Sequence, residues 1–409
     1  MYRRVAAGLA ALFACACLGA PAAGGPLPRA KVTLGDEVFL QSAWHDLHGR
    51  CVGVITNQTG VTSQMVSIVD AIKANPRICI KAIYSPEHGF RGDHTAGAFV
   101  SSYVDKRTGL PVYSLYGAQK RPTAAMLRGV GVLLFDIQDV GDRPYTFVST
   151  MAYAMQAAKR YHKSIWILDR PNPLGGENVE GPVLDPRYRS FIGLYPIAMV
   201  HGMTVGELAE MFNNAFGIHA RLRVIRMKGW KRSMLWPDTG LHWVQSSPNI
   251  PEWSTTVVYP CTGLLDNAGL SGGIGTTKPF KYAGAPGLDA YRLAAVLDQQ
   301  ELPGVFFRPA YWSPLFGAAT GTPFGGVQLV VYNPRTFRPV RTAVEILTAV
   351  RDISPQTLHV DARGLDIDWG TDTLRLGLES GKSAGAIERE WQPALERFKA
   401  LRAKYLLYR

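Results

Sequence analysis

Cysteine is scarce in this chain: five in 409 residues, with Cys15 and Cys17 close to the start and Cys51, Cys79 and Cys261 beyond. That excludes a small scaffold built on disulfides. Past residue 23 there is no apolar run long enough to span a bilayer. The formal net charge is +12, yet the basic residues are scattered, and no run of them could track a nucleic-acid backbone. No internal repeat is visible, which removes solenoids and propellers.

Glycine and proline are plentiful, 42 and 27 residues without any period, in a chain 47% hydrophobic and 19% charged. This apolar content supports a large core and excludes intrinsic disorder, and the length predicts two domains joined by many loops. Arg3 and Arg4 precede an uncharged, Ala- and Leu-rich stretch from Val5 to Ala23, broken by Gly19 and Pro21. Residues 1–23 are therefore expected to be a secretory signal peptide, with lipidation at Cys15 or Cys17 as the alternative. The expected location is periplasmic or secreted. An exported, mildly basic protein suits an anionic polymer such as cell wall.

Short apolar runs at 51–56 (CVGVIT), 78–84 (ICIKAIY), 130–135 (VGVLLF), 164–168 (SIWIL) and 222–227 predict strands, and the spacing at 61–75, 147–161 and 203–216 predicts helices. Near-continuous apolar strands alternating with amphipathic helices imply a parallel sheet covered on both faces. Thr204 and Glu207 form a capping-box pattern at the third helix. Beyond 253 the texture changes to a Gly-rich loop, a Pro-rich aromatic segment, a strand at 327–332 and helices at 340–351 and 384–405. The division expected is 31–253 for the first domain and 254–409 for the second. Cys51 and Cys79 each begin a predicted strand, and neighbouring strands would bring them to disulfide distance.

Each strand runs into a polar cluster, and in open α/β sheets ligands bind beyond the carboxyl ends of the strands. The cluster 85–92 (SPEHGFRG) places Glu87, His88 and Arg91 in one turn, a combination suited to acid–base work or to a loop held by its own ion pairs. The cluster 136–145 (DIQDVGDRPY) offers Asp136, Gln138, Asp139, Arg143 and Tyr145. Paired carboxylates serve glycoside hydrolysis, while several aspartates also suit a divalent cation or a helix cap. His88, Asp93 and His94 match no helical metal spacing. Gly269-Leu270-Ser271-Gly272-Gly273 has the letters of a nucleophile elbow but lacks the strand before it and the helix after it.

The motifs 84–92 (YSPEHGFRG), 136–147 (DIQDVGDRPYTF), 168–176 (LDRPNPLGG), 179–182 (VEGP), 199–208 (MVHGMTVGEL) and 247–251 (SPNIP) strongly resemble the NamZ-type exo-β-N-acetylmuramidases, long catalogued as a domain of unknown function. The resemblance covers nearly all of the chain past the signal peptide. It implies a Rossmann-like N-terminal domain, a smaller α+β auxiliary C-terminal domain, and a cleft that removes terminal N-acetylmuramic acid from peptidoglycan fragments without a cofactor or metal. It places the catalytic glutamate at Glu87. Asp136 and Asp139 are the candidates from position for a second carboxylate, and the sugar's own 2-acetamido group is an alternative. His88, Arg91, Gln138, Arg143, Tyr145 and His201 are expected to position the sugar. The chain departs from the family pattern at Asp266 and at Ile274, where an arginine suited to the lactyl carboxylate of muramic acid is usual, so Lys278 or Arg143 is expected to replace it. The competing expectations are a saccharide-binding protein that lost turnover, a hexosaminidase with a shifted substrate, and a metal-dependent hydrolase. Oligomeric state is not legible.

Overall fold

Helix α1 (Gly35–Gln41) leads into β1 (Val52–Thr56), α2 (Ile68–Lys73), β2 (Ile80–Ser85), the short β3 (Tyr103–Val104), β4 (Pro111–Ser114), β5 (Val132–Asp136), α3 (Phe147–Arg160) and β6 (Ser164–Leu168). An antiparallel ribbon of β7 (Glu180–Val183) and β8 (Ala198–Val200) precedes α4 (Val205–Asn214) and β9 (Arg221–Ile225). This computed structural model describes residues 30–409, so the predicted signal peptide, with Cys15 and Cys17, lies outside the described residues.

Seven strands make one sheet in the order β3-β4-β2-β1-β5-β6-β9, and only the edge strand β3 is antiparallel. Counted along the chain, the six parallel strands lie in the doubly wound Rossmann order, whose direction reverses between β1 and β5. Side chains alternate faces, as the pleat requires. Val52, Val54, Val132 and Leu134 pack with Phe39 of α1 and Ile68, Val69 and Ile72 of α2. Ile55, Leu133, Phe135, Ile165 and Ile167 face the other way, onto Met151 and Met155 of α3 and Leu208 and Phe212 of α4.

Helix α2 is shorter than the periodicity at 61–75 predicts, because Val61 and Ser67 bridge and the Thr62 amide donates to the Val66 carbonyl at 2.9 Å, closing a turn before the helix. At α4 the capping box is present: the Thr204 hydroxyl accepts from the Glu207 amide, and the Glu207 carboxylate accepts from the Thr204 amide. Strands β1 and β2 are neighbours, and Cys51 and Cys79 at their starts form a disulfide with Cα atoms 4.5 Å apart. Closing a loop of 28 residues contributes about 3–4 kcal/mol in the chain-entropy view. Cys261 is a buried free thiol.

Beyond β9 come α5 (Trp253–Thr262), β10 (Tyr282–Ala285), α6 (Ala290–Asp298), β11 (Val305–Trp312), β12 (Phe324–Val331), α7 (Pro339–Ile353), α8 (Ala362–Trp369), α9 (Thr373–Glu379) and α10 (Ala384–Arg402). The strands form a small antiparallel sheet in the order β10-β12-β11. One apolar cluster runs from Ile55 and Leu133 of the first sheet through Cys261 of α5 to Val344 of α7 and Trp391 of α10. Among the described residues, no helix is long and apolar enough to cross a membrane.

Candidate active site

Strand β2 ends in a turn in which the Gly89 amide donates to the Pro86 carbonyl at 3.1 Å, with His88 at φ 70°. A non-glycine residue in that region stores strain of order 1–3 kcal/mol, which functional loops retain because it aims side chains. Here it aims Glu87, only 8% exposed, into a cavity of about 370 Å³. The Gly97 amide donates to Glu87 Oε1 at 3.0 Å, and the Thr146 hydroxyl, just before α3, donates to Oε2 at 2.8 Å. The Tyr116 hydroxyl lies near Glu87, and its own pKa is pushed up to about 12, first by burial and then by the Glu87 charge. His88 lines the same cavity; its Nδ1 lies 2.9 Å from the His94 carbonyl, which can only accept, so Nδ1 donates.

Tyrosine and phenylalanine rings form part of the cavity lining. Tyr145 meets Tyr259 edge-on at 5.9 Å, and Tyr259 meets Phe280 edge-on at 4.8 Å. Tyr116 and Phe191, also in the lining, lie 5.9 Å apart. The Tyr145 hydroxyl donates to Ser246 Oγ at 2.9 Å, and Ser247 and Asn249 of the same loop face the cavity. Burial pushes the Tyr145 hydroxyl well up, so it remains a neutral donor at ordinary pH. Lys120 completes the lining, its Nζ 5.1 Å from the centre of the Phe191 ring.

The structure brings together Glu87, His88 and Tyr145 of the residues singled out in the sequence and places the others elsewhere. Asp136 points away from the cavity, into a fully buried ion pair with Arg170 Nε at 2.6 Å, and Arg170 Nη2 reaches Asp36 at 2.9 Å. Burial raises the pKa of both aspartates against the pull of Arg170. Asp139 accepts from the Gly141 amide at 2.8 Å and faces His201 across 3.7 Å, both buried behind the turn. His201 Nδ1 accepts from the Met203 amide. Gln138 ties the loop down by donating to the carbonyls of Asp139 and Pro171, each at 2.8 Å. Arg91 pairs with Asp105 at 2.7 Å.

Arg143 is a strut, not a free cation. Its guanidinium donates to the carbonyls of Pro182, Ile197, Asp368 and Trp369 at 2.7–3.3 Å, joining the ribbon β7–β8 to the end of α8. Lys278 is exposed and is not among the residues lining the cavity, while Ile274 lines a separate one with Asp266, Ser271 and Phe316. An adjoining chamber of about 90 Å³ shares Pro144, Ile192 and Tyr259 with the Glu87 cavity and is lined by Asp142 and Asp368. Asp142 keeps a buried oxygen without a hydrogen-bond partner, and burial raises its pKa well above the usual range. Asp142 carried a signal within the 136–145 cluster; Tyr116, Lys120 and Phe191 sit in loops with no motif of their own. Among the described residues, no three His, Cys, Asp or Glu side chains converge to hold a metal ion.

A glutamate on a strand-end loop, in a cavity partly lined by aromatic rings, is an arrangement for protonating a sugar's glycosidic oxygen. Comparison with known proteins also points to a glycosidase. Residues 52–254 match the N-terminal family of exo-β-N-acetylmuramidase NamZ, and 257–408 its C-terminal family. A peptidoglycan β-N-acetylmuramidase NamZ from Bacillus subtilis (strain 168) is 45% identical over 381 residues, covering 93% of this chain and 92% of that protein. Two crystal structures of DUF1343 family proteins from Bacteroides fragilis NCTC 9343 are also similar. One is 36% identical with a TM-score of 0.88, covering 93% of this chain and 100% of that one, and the other is 29% identical with a TM-score of 0.72, covering 92% and 99%. With both halves matched and this level of identity across nearly its whole length, the chain belongs to the NamZ family of glycosidases, the exo-β-N-acetylmuramidases.

Proposed function

We propose that this protein is an exported glycoside hydrolase that releases terminal N-acetylmuramic acid from peptidoglycan fragments, with Glu87 as general acid and then base. One observation carries the mechanism: of the described residues lining the cavity, Glu87 is the one carboxylate. A two-carboxylate scheme lacks its second member there, so the substrate's 2-acetamido group takes that place. The acetamido oxygen attacks C1 while protonated Glu87 gives its proton to the leaving oxygen, and the C1–O bond breaks to leave an oxazolinium ion. Water then attacks C1, loses its proton to Glu87, and reopens the ring with the β configuration retained. Thr146 and Tyr116 suit both steps, since a hydroxyl beside Glu87 can donate to the carboxylate and accept from the carboxylic acid. A cavity of about 370 Å³ fits one sugar unit, which favours cutting at chain ends.

Export is supported by the basic, then apolar, start of the sequence and by the Cys51–Cys79 disulfide, which persists in oxidising compartments. The alternative mechanism is inversion, with the unpartnered oxygen of Asp142 in the adjoining chamber serving a water. The proposed activity is tested by incubating the protein with short peptidoglycan glycans of defined ends. Free N-acetylmuramic acid should appear from chains with a muramyl non-reducing end and not from chains ending in N-acetylglucosamine. Internal cleavage of both would refute the exo-muramidase reading.

A further inference from the structure

Muramic acid differs from glucosamine by a 3-O-lactyl carboxylate, and burying that charge without a cation is costly. The cations expected to meet it are committed elsewhere: Arg143 to four backbone carbonyls, Arg91 to Asp105, and Lys278 to an exposed position outside the lining. Position 274, where the family pattern suggests an arginine, faces a different cavity. One lysine or arginine remains among the described residues that line the Glu87 cavity, and it is Lys120. Lys120 is half-buried, lies 5.1 Å from the Phe191 ring, and has no carboxylate within ion-pair distance among the described residues.

We infer that Lys120 is the specificity-determining residue that receives the lactyl carboxylate of the terminal muramic acid. The inference rests on the muramidase reading above and deepens it. Its place along the wall fits the sugar's geometry. Tyr116 lies near Glu87, Phe191 packs against Tyr116, and Lys120 lies over Phe191, so the aromatic pair stands between acid and cation. On a pyranose the scissile oxygen at C1 and the lactyl ether at C3 are likewise kept apart, with C2 between them. An ammonium over an aromatic face keeps its charge available while its stem is held.

The test uses two chromogenic glycosides, a β-N-acetylmuramide and the matching β-N-acetylglucosaminide, with wild type, Lys120→Met and Lys120→Arg. Wild type should prefer the muramide. Lys120→Met should raise the muramide KM by about 30-fold with kcat little changed, the loss expected for one charge-assisted hydrogen bond. Its glucosaminide kinetics should stay within about 2-fold of wild type, since uniform binding to a group absent from that substrate is lost. Lys120→Arg should keep most of the preference. Wild type alone gives a second readout: free N-acetylmuramic acid should inhibit more strongly than its lactyl methyl ester. Equal inhibition by acid and ester, or a preference that survives Lys120→Met, overturns the inference while leaving the glycosidase reading intact. Turnover of neither glycoside by wild type would refute the muramidase reading itself, and the role of Lys120 with it.

Discussion

Replacing Glu87 with glutamine is expected to lower turnover by on the order of 100-fold to 10,000-fold, the range for loss of a general acid–base group. The fold should survive. The amide oxygen can still accept from Thr146 or Gly97, and the substitution exchanges one oxygen for an NH2 without changing volume. Both Tyr116 and Thr146 would remain to position the side chain, so substrate affinity should change far less than kcat. Unfolding midpoints measured beside single-turnover rates separate the two effects. Near-normal turnover of a well-folded Glu87→Gln protein would remove Glu87 from the chemistry.

The second large effect is on stability. Arg170 is 2% exposed and bridges Asp136 and Asp36, both fully buried, and it also donates to the Val61 carbonyl at 2.9 Å. Arg170→Met would strand two buried carboxylates, and breaking a buried network in this way costs about 3–5 kcal/mol. Asp136→Asn leaves Arg170 its partner in Asp36, so a smaller loss of about 1–3 kcal/mol is expected. Turnover per folded molecule should stay within about 3-fold of wild type, because the Asp136 carboxylate is turned away from the cavity. Denaturant melts with activity normalised to folded protein make the measurement. A stable Asp136→Asn protein that had lost turnover would return Asp136 to the catalytic machinery.

Glu87 and Asp136 carry the same sequence signal, a carboxylate just past or at the end of an apolar strand, and the fold gives them opposite fates. Glu87 follows β2 on a strained turn that projects into the cavity, whereas Asp136 closes β5, on the other side of β1, and meets Arg170 from the end of the neighbouring β6. A single sequence does not specify which strand ends are neighbours, so it could not separate the two. Arg143 shows a related limit: a guanidinium in a polar turn looks available, and only the tertiary structure supplies the four carbonyls that take up its two terminal nitrogens. Five of the six parallel strands were legible from short, largely apolar runs, as was the cap at Thr204, while β4, headed by Pro111, was not. Helix α5 was not, since Ser254, Thr255, Thr256, Val257 and Val258 disfavour helix and Pro260 interrupts it. Burial of Val257, Val258 and Cys261 in the common core overrides those preferences. Lys120 and Phe191 lie far apart in sequence and meet only through the fold.

The mechanism rests on a cavity with one carboxylate, and the stereochemistry of the first-formed product tests it most directly. Proton NMR of the anomeric region, recorded while a β-muramyl substrate is turned over and before mutarotation, reports which anomer leaves the site. With the acetamido group as internal nucleophile, two displacements at C1 retain configuration, and the β anomer of N-acetylmuramic acid should appear first. The α anomer appearing first would contradict the account, because inversion requires a second protein carboxylate acting on water.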